Sequence, residues 1–312
     1  MIKLSIIIPV YNVYDYIEQC LKSVVNQTLK EIEVIVVNDG SPDNSQEIID
    51  KYQKKYPKLI KSFIKENGGQ GTARNLGLEH AKGKYVSFID SDDFIDKNFA
   101  KEMYELAEKE NADVVVCDMI DVYQDKEIYQ DCTNFEKLYK TTPSVCNKIF
   151  KKELFEKVKF KGKMWYEDLN IMLKIMNNIE RISVIHKGYY KCNCRDNSTM
   201  RNNNSKKNLD MIWAIDDAKE YQIENKIFDK NVYSYVVFDN ILITTINRVQ
   251  SQKNKDKKEV IKKLRNYCKE NIKDYYKQEF YSKIPRNRKI VAFLNYHGLS
   301  KISQILINIK RK

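Results

Sequence analysis

The chain has 312 residues, 42% hydrophobic and 31% charged, with a formal net charge of +12. That length and apolar share exclude a globally disordered chain and suit one large domain with an appendage, or two domains. Residues 251–312 hold 18 Lys and Arg against 5 Asp and Glu, while residues 1–250 hold 37 against 38, so any anionic partner belongs to the C-terminal segment alone.

Seven cysteines follow no framework spacing, and Cys192 and Cys194 form C-x-C rather than C-x-x-C. With only three scattered histidines, this argues against a structural zinc and fits reduced thiols in a cytosolic protein. The opening "MIKLSIIIPVYN" contains Pro9 and is too short for a signal peptide or a membrane helix. No other stretch approaches about 18 apolar residues.

The first 120 residues alternate strand and helix. "LSIIIPVY" (4–11) is a β-branched strand and "YDYIEQCLKSVVNQ" (14–27) a helix. "EVIVVND" (33–39) is an apolar strand, followed by the helix 45–56, with Asn44 and Glu47 in capping-box spacing. A weaker strand (59–66) precedes the helix 71–83, which Gly83 is expected to stop. "YVSFID" (85–90), a helix over 97–110 and "DVVVCD" (113–118) complete the run.

Strands that are apolar throughout and alternate with helices predict a parallel sheet covered on both faces. Ligands of such sheets bind beyond the carboxyl ends of the strands. Asp39, the "NGGQG" loop and "DSDD" all fall there. Residues 120–200 are less regular. From about 204 the pattern is helical, which predicts domains of 1–203 and 204–312.

Four constellations carry chemistry. Asp39 in "VNDGS" is either a turn residue beside Gly40 or a carboxylate that accepts a nucleobase N–H. "ENGGQGTARN" (66–75) is a glycine loop opening a helix, fit for phosphate, with Arg74 one turn in. It matches neither the dinucleotide nor the P-loop fingerprint. "DSDD" (90–93) crowds Asp90, Asp92 and Asp93 at a strand end. A hard cation such as Mg²⁺ or Mn²⁺ relieves that repulsion, and helix capping explains at most one of the three. "WYEDLNIMLKIM" (165–176) sets Glu167 and Asp168 in the first turn of an amphipathic helix. They either complement the helix dipole or present a general base.

Taken together these residues resemble the inverting family-2 glycosyltransferases with a GT-A fold, of the bacterial cell-surface polysaccharide type. The resemblance rests on "SIIIPVYN", "VVNDGSPDNS", "NGGQGTARNLGL", "YVSFIDSDD", "NKIFKKEL", "YED" and "YYKCNCRDNST", in that order over roughly residues 3–200. It implies a Rossmann-like, mostly parallel α/β sheet with a C-terminal helical extension. It also implies a nucleotide-sugar donor, foremost a UDP-sugar, and an acceptor hydroxyl on a glycan or lipid-linked molecule. In that reading Pro9, Val10 and Tyr11 line the nucleobase, and Asp39 bonds its edge. Gly69, Arg74, Asp90, Ser91 and Asp92 serve the donor. Arg195 and Ser198 either close over the diphosphate or belong to a solvated polar loop. Mn²⁺ or Mg²⁺ is held among Asp90, Asp92 and Asp93, with Asp92 foremost. Asp168, beside Glu167, is the base, and Asn147 and Lys148 face the acceptor. His186 is expected at a strand end rather than as a ligand.

"KIVAFLNYHGLSKISQILINIKRK" has apolar residues at helical spacing flanked by Lys and Arg. It reads as a terminal helix packed on the domain, or as a basic amphipathic segment (285–312) lying on an anionic membrane. The second reading makes the enzyme cytoplasmic and peripheral, and the helices are also where a homo-oligomer would form. Two rival readings share these features. A nucleotidyltransferase would share the nucleotide site and metal. A nucleic-acid-binding protein would use the basic tail, but no nucleic-acid motif is present, so nucleic acid is not expected as a partner.

Overall fold

The computed structural model describes residues 1–135, 138–194 and 204–310. They form two compact units, one drawn from residues 1–163 and 175–194, the other from residues 164–174 and 204–310. Residues 164–174, which precede the expected boundary near 203, thus cluster with the C-terminal helices.

In the first unit β1 (Leu4–Val10), β2 (Ile32–Asn38), β3 (Ile60–Ile64) and β4 (Tyr85–Phe88) are joined by α1 (Tyr14–Val25), α2 (Ser45–Lys55) and α3 (Gln70–His80). They pair in parallel in the order β3-β2-β1-β4. Every residue of β1, β2 and β4 is buried, as strands covered on both faces must be. α1 buries Ile17, Cys20, Leu21 and Val24, the i, i+3, i+4, i+7 stripe of an amphipathic helix.

Beyond β4 the sheet is mixed. β5 (Phe94–Ile95) and α4 (Phe99–Glu110) lead to β6 (Val114–Val122), β7 (Glu127–Gln130), β8 (Lys148–Lys151) and β9 (Ile182–Asn193). β8 runs antiparallel between β4 and β6, so "DVVVCD" does not join β4 directly. β9 runs parallel to β6. "KIF" is too short to announce such an insertion in the sequence.

Two expected end signals differ. Asn44 makes no side-chain cap; Asp43 does the work instead, its Oδ1 accepting from Ser45 N at 3.1 Å. α3 ends at His80, before Gly83. A Cβ at Gly83 would lie 2.6 Å from Ser5 N, so that glycine serves close backbone packing instead.

The second unit is helical: α5 (Glu167–Ile175), α6 (Asp210–Glu224), then α7 (Lys230–Val236), which runs through π-type turns at Val237–Thr245 into α8 (Ile246–Ser251). Asp229 caps α7, accepting from Asn231 N at 2.7 Å. After α9 (Lys257–Asn271) and α10 (Glu279–Ser282), the terminal apolar segment is two helices, α11 (Arg286–Tyr296) and α12 (Ser300–Lys310). Gly298 breaks it, at φ 85°, and Leu299 N bonds Leu294 O at 2.7 Å, the closing bond of a glycine helix stop. Among the described residues no helix is long and apolar enough to cross a membrane.

Candidate active site

The strand order reverses at β1. β2 and β3 lie on one side of it and β4 on the other. Open sheets bind ligands in the crevice outside such a switch point. Pro9 sharpens the opening: β1 pairs with β4 through Ile7, the last bond being Ile89 N to Ile7 O at 3.0 Å. Two residues on, Pro9 has no N–H to continue the ladder. Beyond it Tyr11 is 49% exposed. Asn12 turns left-handed at φ 53° and donates its N–H to Ser41 Oγ at 2.7 Å. Asp43 secures that turn, accepting from Ser41 Oγ at 2.6 Å and Tyr14 N at 2.8 Å. Burial raises the Asp43 carboxyl, but these donors outweigh it and hold the group down to about 2.

Asp39 follows β2 and is buried. Lys65 Nζ (2.6 Å) and Gly68 N (2.9 Å) donate to its Oδ1. Gly69 N (2.7 Å) and Asn67 Nδ2 (3.3 Å) donate to its Oδ2. A carboxylate offers about four lone-pair sites, so Lys65 and the glycine loop together fill them. The loop needs its glycines. Gly69 sits at φ 88°, and a Cβ there would lie 2.4 Å from Lys163 N; one at Gly71 would lie 2.0 Å from Lys161 O.

DSDD is a turn closed by Asp93 N to Asp90 O at 3.0 Å. Its three carboxylates have three environments. Asp90 pairs with Arg74 at 2.9 Å, and the arginine side chain is fully buried, so it braces Asp90 rather than reaching into solvent. Asp93 is buried and accepts from Tyr190 OH at 2.6 Å and Asn193 N at 2.8 Å. Burial, then the charges of Asp92 and Asp90, push its carboxyl well up. Asp92 is half-buried at the turn. Ser91 beside it is buried. This donor set, all carboxylate oxygen under mutual repulsion, fits a hard divalent cation.

Glu167 and Asp168 open α5 in the second unit, Glu167 buried and Asp168 half-buried. Tyr166 before them is left-handed at φ 67°, costly for a bulky residue. Its hydroxyl donates to Asn208 Oδ1 at 2.9 Å and accepts from Arg248 Nη1 at 3.0 Å. The Arg248 guanidinium also lies over the Trp165 ring, 5.1 Å from its centre. The acids are thus set by groups on the C-terminal helices, which the motif itself does not show.

The family model "Glycosyl transferase family 2" matches residues 5–192. The chain belongs to that family. This family-2 chain is 33% identical to the glycosyltransferase GlyA of Streptococcus pneumoniae, over 64% of this chain but only 32% of that relative. It is 30% identical to the uncharacterized glycosyltransferase EpsJ of Bacillus subtilis, over 73% of this chain and 70% of EpsJ. Among solved structures it is similar to S. aureus TarS 1–349 in complex with UDP-GlcNAc. The identity is 24% and the TM-score 0.75, over 96% of this chain and 91% of that one. The fold is therefore the GT-A fold.

The remaining candidate residues of the family-2 chain sit as follows. Asn147 and Lys148 are fully buried. Asn147 Nδ2 donates to Cys117 O at 2.6 Å, and Lys148 Nζ to Ser144 O at 2.7 Å and Thr142 O at 3.0 Å, so both shape the loop before β8. His186 is a mid-strand residue of β9, with Nδ1 2.8 Å from Thr133 Oγ1. Arg195 and Ser198 lie outside the described residues. Sequence reasoning missed Lys65 and Asn67 on Asp39, Ser41 and Asp43 on the Asn12 and Tyr14 amides, and Tyr190 and Asn193 on Asp93. All act across long sequence separations, and no local pattern marks them.

Proposed function

We propose that the protein is an inverting glycosyltransferase. It moves a sugar of the hexose class from a nucleoside-diphosphate donor, UDP foremost, to a hydroxyl of a glycan or lipid-linked acceptor. One observation carries the reading. Tyr11, Asp39 and the DSDD turn converge at the carboxyl ends of β1, β2 and β4, on both sides of the strand-order reversal. The TarS neighbour's UDP-GlcNAc complex supports a nucleotide-sugar donor for this fold.

In this reading Pro9, Val10 and Tyr11 hold the base, with Tyr11 stacking on it. Asp39 takes a base N–H when a present donor such as Lys65 gives way, and Gly69 keeps the loop close. Arg74 fixes Asp90 from behind. Asp92, with Asp90, holds Mn²⁺ or Mg²⁺, and Asp93 supports the turn. A bound divalent cation supplies charge stabilisation for the departing diphosphate. Arg195 and Ser198 serve the diphosphate. Asp168 accepts the proton of the attacking hydroxyl, Glu167 shaping its surroundings, since a single displacement at the anomeric carbon needs one base. Asn147 and Lys148 act on the acceptor side by shaping residues 141–146.

The same proposal places the protein peripherally on the anionic, cytoplasmic face of a membrane through 285–312. Ile302, Ile305, Leu306 and Ile309 lie at i, i+3, i+4 and i+7 of α12 and are 47%, 59%, 41% and 66% exposed, so its apolar stripe faces solvent. The surplus of positive charge in this segment favours anionic lipid over a second copy of the chain.

The test is incubation with a panel of nucleotide sugars, Mn²⁺ and candidate acceptors. Release of a nucleoside diphosphate and a product of inverted anomeric configuration by NMR is expected. Pyrophosphate release would instead indicate nucleotidyl transfer, and a retained configuration would refute the single displacement.

A further inference from the structure

A second cluster of ligand-type side chains lies outside the proposed donor crevice. Asp121 is on β6, while Cys192 is the penultimate residue of β9 and Cys194 lies just beyond the strand. Asp121 and Cys192 are direct partners in the parallel β6–β9 ladder, so their side chains share a sheet face. Cys194 is two residues past Cys192, and its N–H continues the ladder to Val122 O at 2.9 Å. The period of two returns its thiol to the same face. The result is one carboxylate oxygen and two sulfurs, all within 4.8 Å of one another and all half-buried.

We infer that Asp121, Cys192 and Cys194 form a binding site for a soft or borderline divalent cation of the zinc class. Donor atoms around tetrahedral zinc stand about 3.8 Å apart, given bonds of about 2.3 Å to sulfur. Small rotamer changes close the present spacing, and the half-exposure of all three side chains leaves room for them. Three protein ligands leave one position to water. Gln130 Nε2 already donates to Asp121 Oδ2 at 2.9 Å, which orients the carboxylate and leaves its other oxygen for the metal, the outer support that metal ligands commonly have. Each thiol loses its proton to solvent as its sulfur–metal bond forms.

The site differs in kind from DSDD. Thiolates select soft cations, and an all-carboxylate turn selects Mg²⁺ or Mn²⁺. It is also wired to that turn. Asn193, between the two cysteines, donates its N–H to Asp93 Oδ1 at 2.8 Å and its Nδ2 to Asp92 O at 2.6 Å. A cation clamping residues 192 and 194 to β6 fixes the residue that holds the DSDD corner. The C-x-C spacing alone gives no sign of this, because the third ligand is about 70 residues away in sequence.

The experiment titrates the reduced, chelator-stripped full chain with Cd²⁺ and reads the ultraviolet thiolate-to-metal charge-transfer band. One saturable equivalent is expected. Cys192→Ser and Cys194→Ser should each weaken it by roughly tenfold or more, whereas Cys132→Ser and Asp92→Asn should leave it. In the wild-type chain, Zn²⁺ should protect Cys192 and Cys194, but not Cys132, from alkylation read by mass spectrometry. A missing band, a band that survives Cys192→Ser/Cys194→Ser, or equal alkylation with and without Zn²⁺ overturns the site.

Discussion

Lys65 Nζ lies 2.6 Å from Asp39 Oδ1, on a buried carboxylate that also accepts the Gly68 and Gly69 amides. Lys65 therefore sits on the group proposed to read the base. If a base N–H replaces the ammonium, Lys65 competes with the donor. Lys65→Met should leave nucleotide-sugar affinity unchanged or tighten it about threefold to tenfold, while Asp39→Asn weakens it at least about tenfold. Calorimetric titration of both variants checks this. A weakening of more than tenfold in Lys65→Met would show that Lys65 touches the ligand itself.

Arg74 is fully buried and Asp90 is 32% exposed. Removing one member of a buried pair leaves an uncompensated charge, worth about 3–5 kcal/mol when both are sealed and about 2–3 kcal/mol here after allowing for the exposed partner. Arg74→Met should cost that much in denaturant unfolding, and Arg74→Met/Asp90→Asn should recover part of it. Strictly additive effects in the double-mutant cycle would contradict the brace.

Asp43 titrates at about 2 in the fold, below the ordinary value of about 3.9. A depressed carboxylate stabilises the fold above the unfolded value, and that stability is lost as pH falls through the folded one. Asp43→Asn should flatten the acid limb between about pH 4 and pH 2, by about 1 kcal/mol after solvent screening. It should also loosen the Tyr11–Asn12 turn. An acid limb identical to wild type excludes the assignment.

The α12 stripe is exposed, so charging it should not unfold the chain. Ile305→Glu/Ile309→Glu should keep its melting temperature within the usual small range for surface changes and stop co-sedimentation with anionic vesicles. Vesicle binding that persists, or a change only in oligomeric state by light scattering, would reject the membrane reading.

The parallel part of the sheet was legible because β1, β2 and β4 are predominantly apolar runs and α1 carries a periodic apolar stripe. α6, at Asp210–Glu224, lies within the stretch from about 204 whose pattern is helical. The crowded DSDD motif forms a turn closed by Asp93 N to Asp90 O at 3.0 Å. What stayed hidden depends on long-range register. The antiparallel insertion of β8 is four residues long. Asp39 is saturated from a loop about 30 residues on, and Asp93 is held by Tyr190 and Asn193 about 100 residues later. Arg74, which looks like a phosphate fork in "GTARN", becomes a buried partner of Asp90 because α3 packs against β1: a Cβ at Gly77 would lie 2.3 Å from Ile7 Cγ2. Gly298 splits the terminal segment by a conformation that the hydrophobic pattern alone does not mark.

The most direct test pairs donor binding with transfer in two variants, Asp92→Asn and Asp168→Asn. UDP-sugar is titrated calorimetrically with and without Mn²⁺, and nucleoside-diphosphate release is followed with acceptor present. The account predicts that Asp92→Asn loses the Mn²⁺-dependent part of binding. Asp168→Asn should keep wild-type binding but lose transfer by about 100-fold or more. Wild-type transfer by Asp168→Asn, or Mn²⁺-dependent binding undiminished in Asp92→Asn, would contradict it.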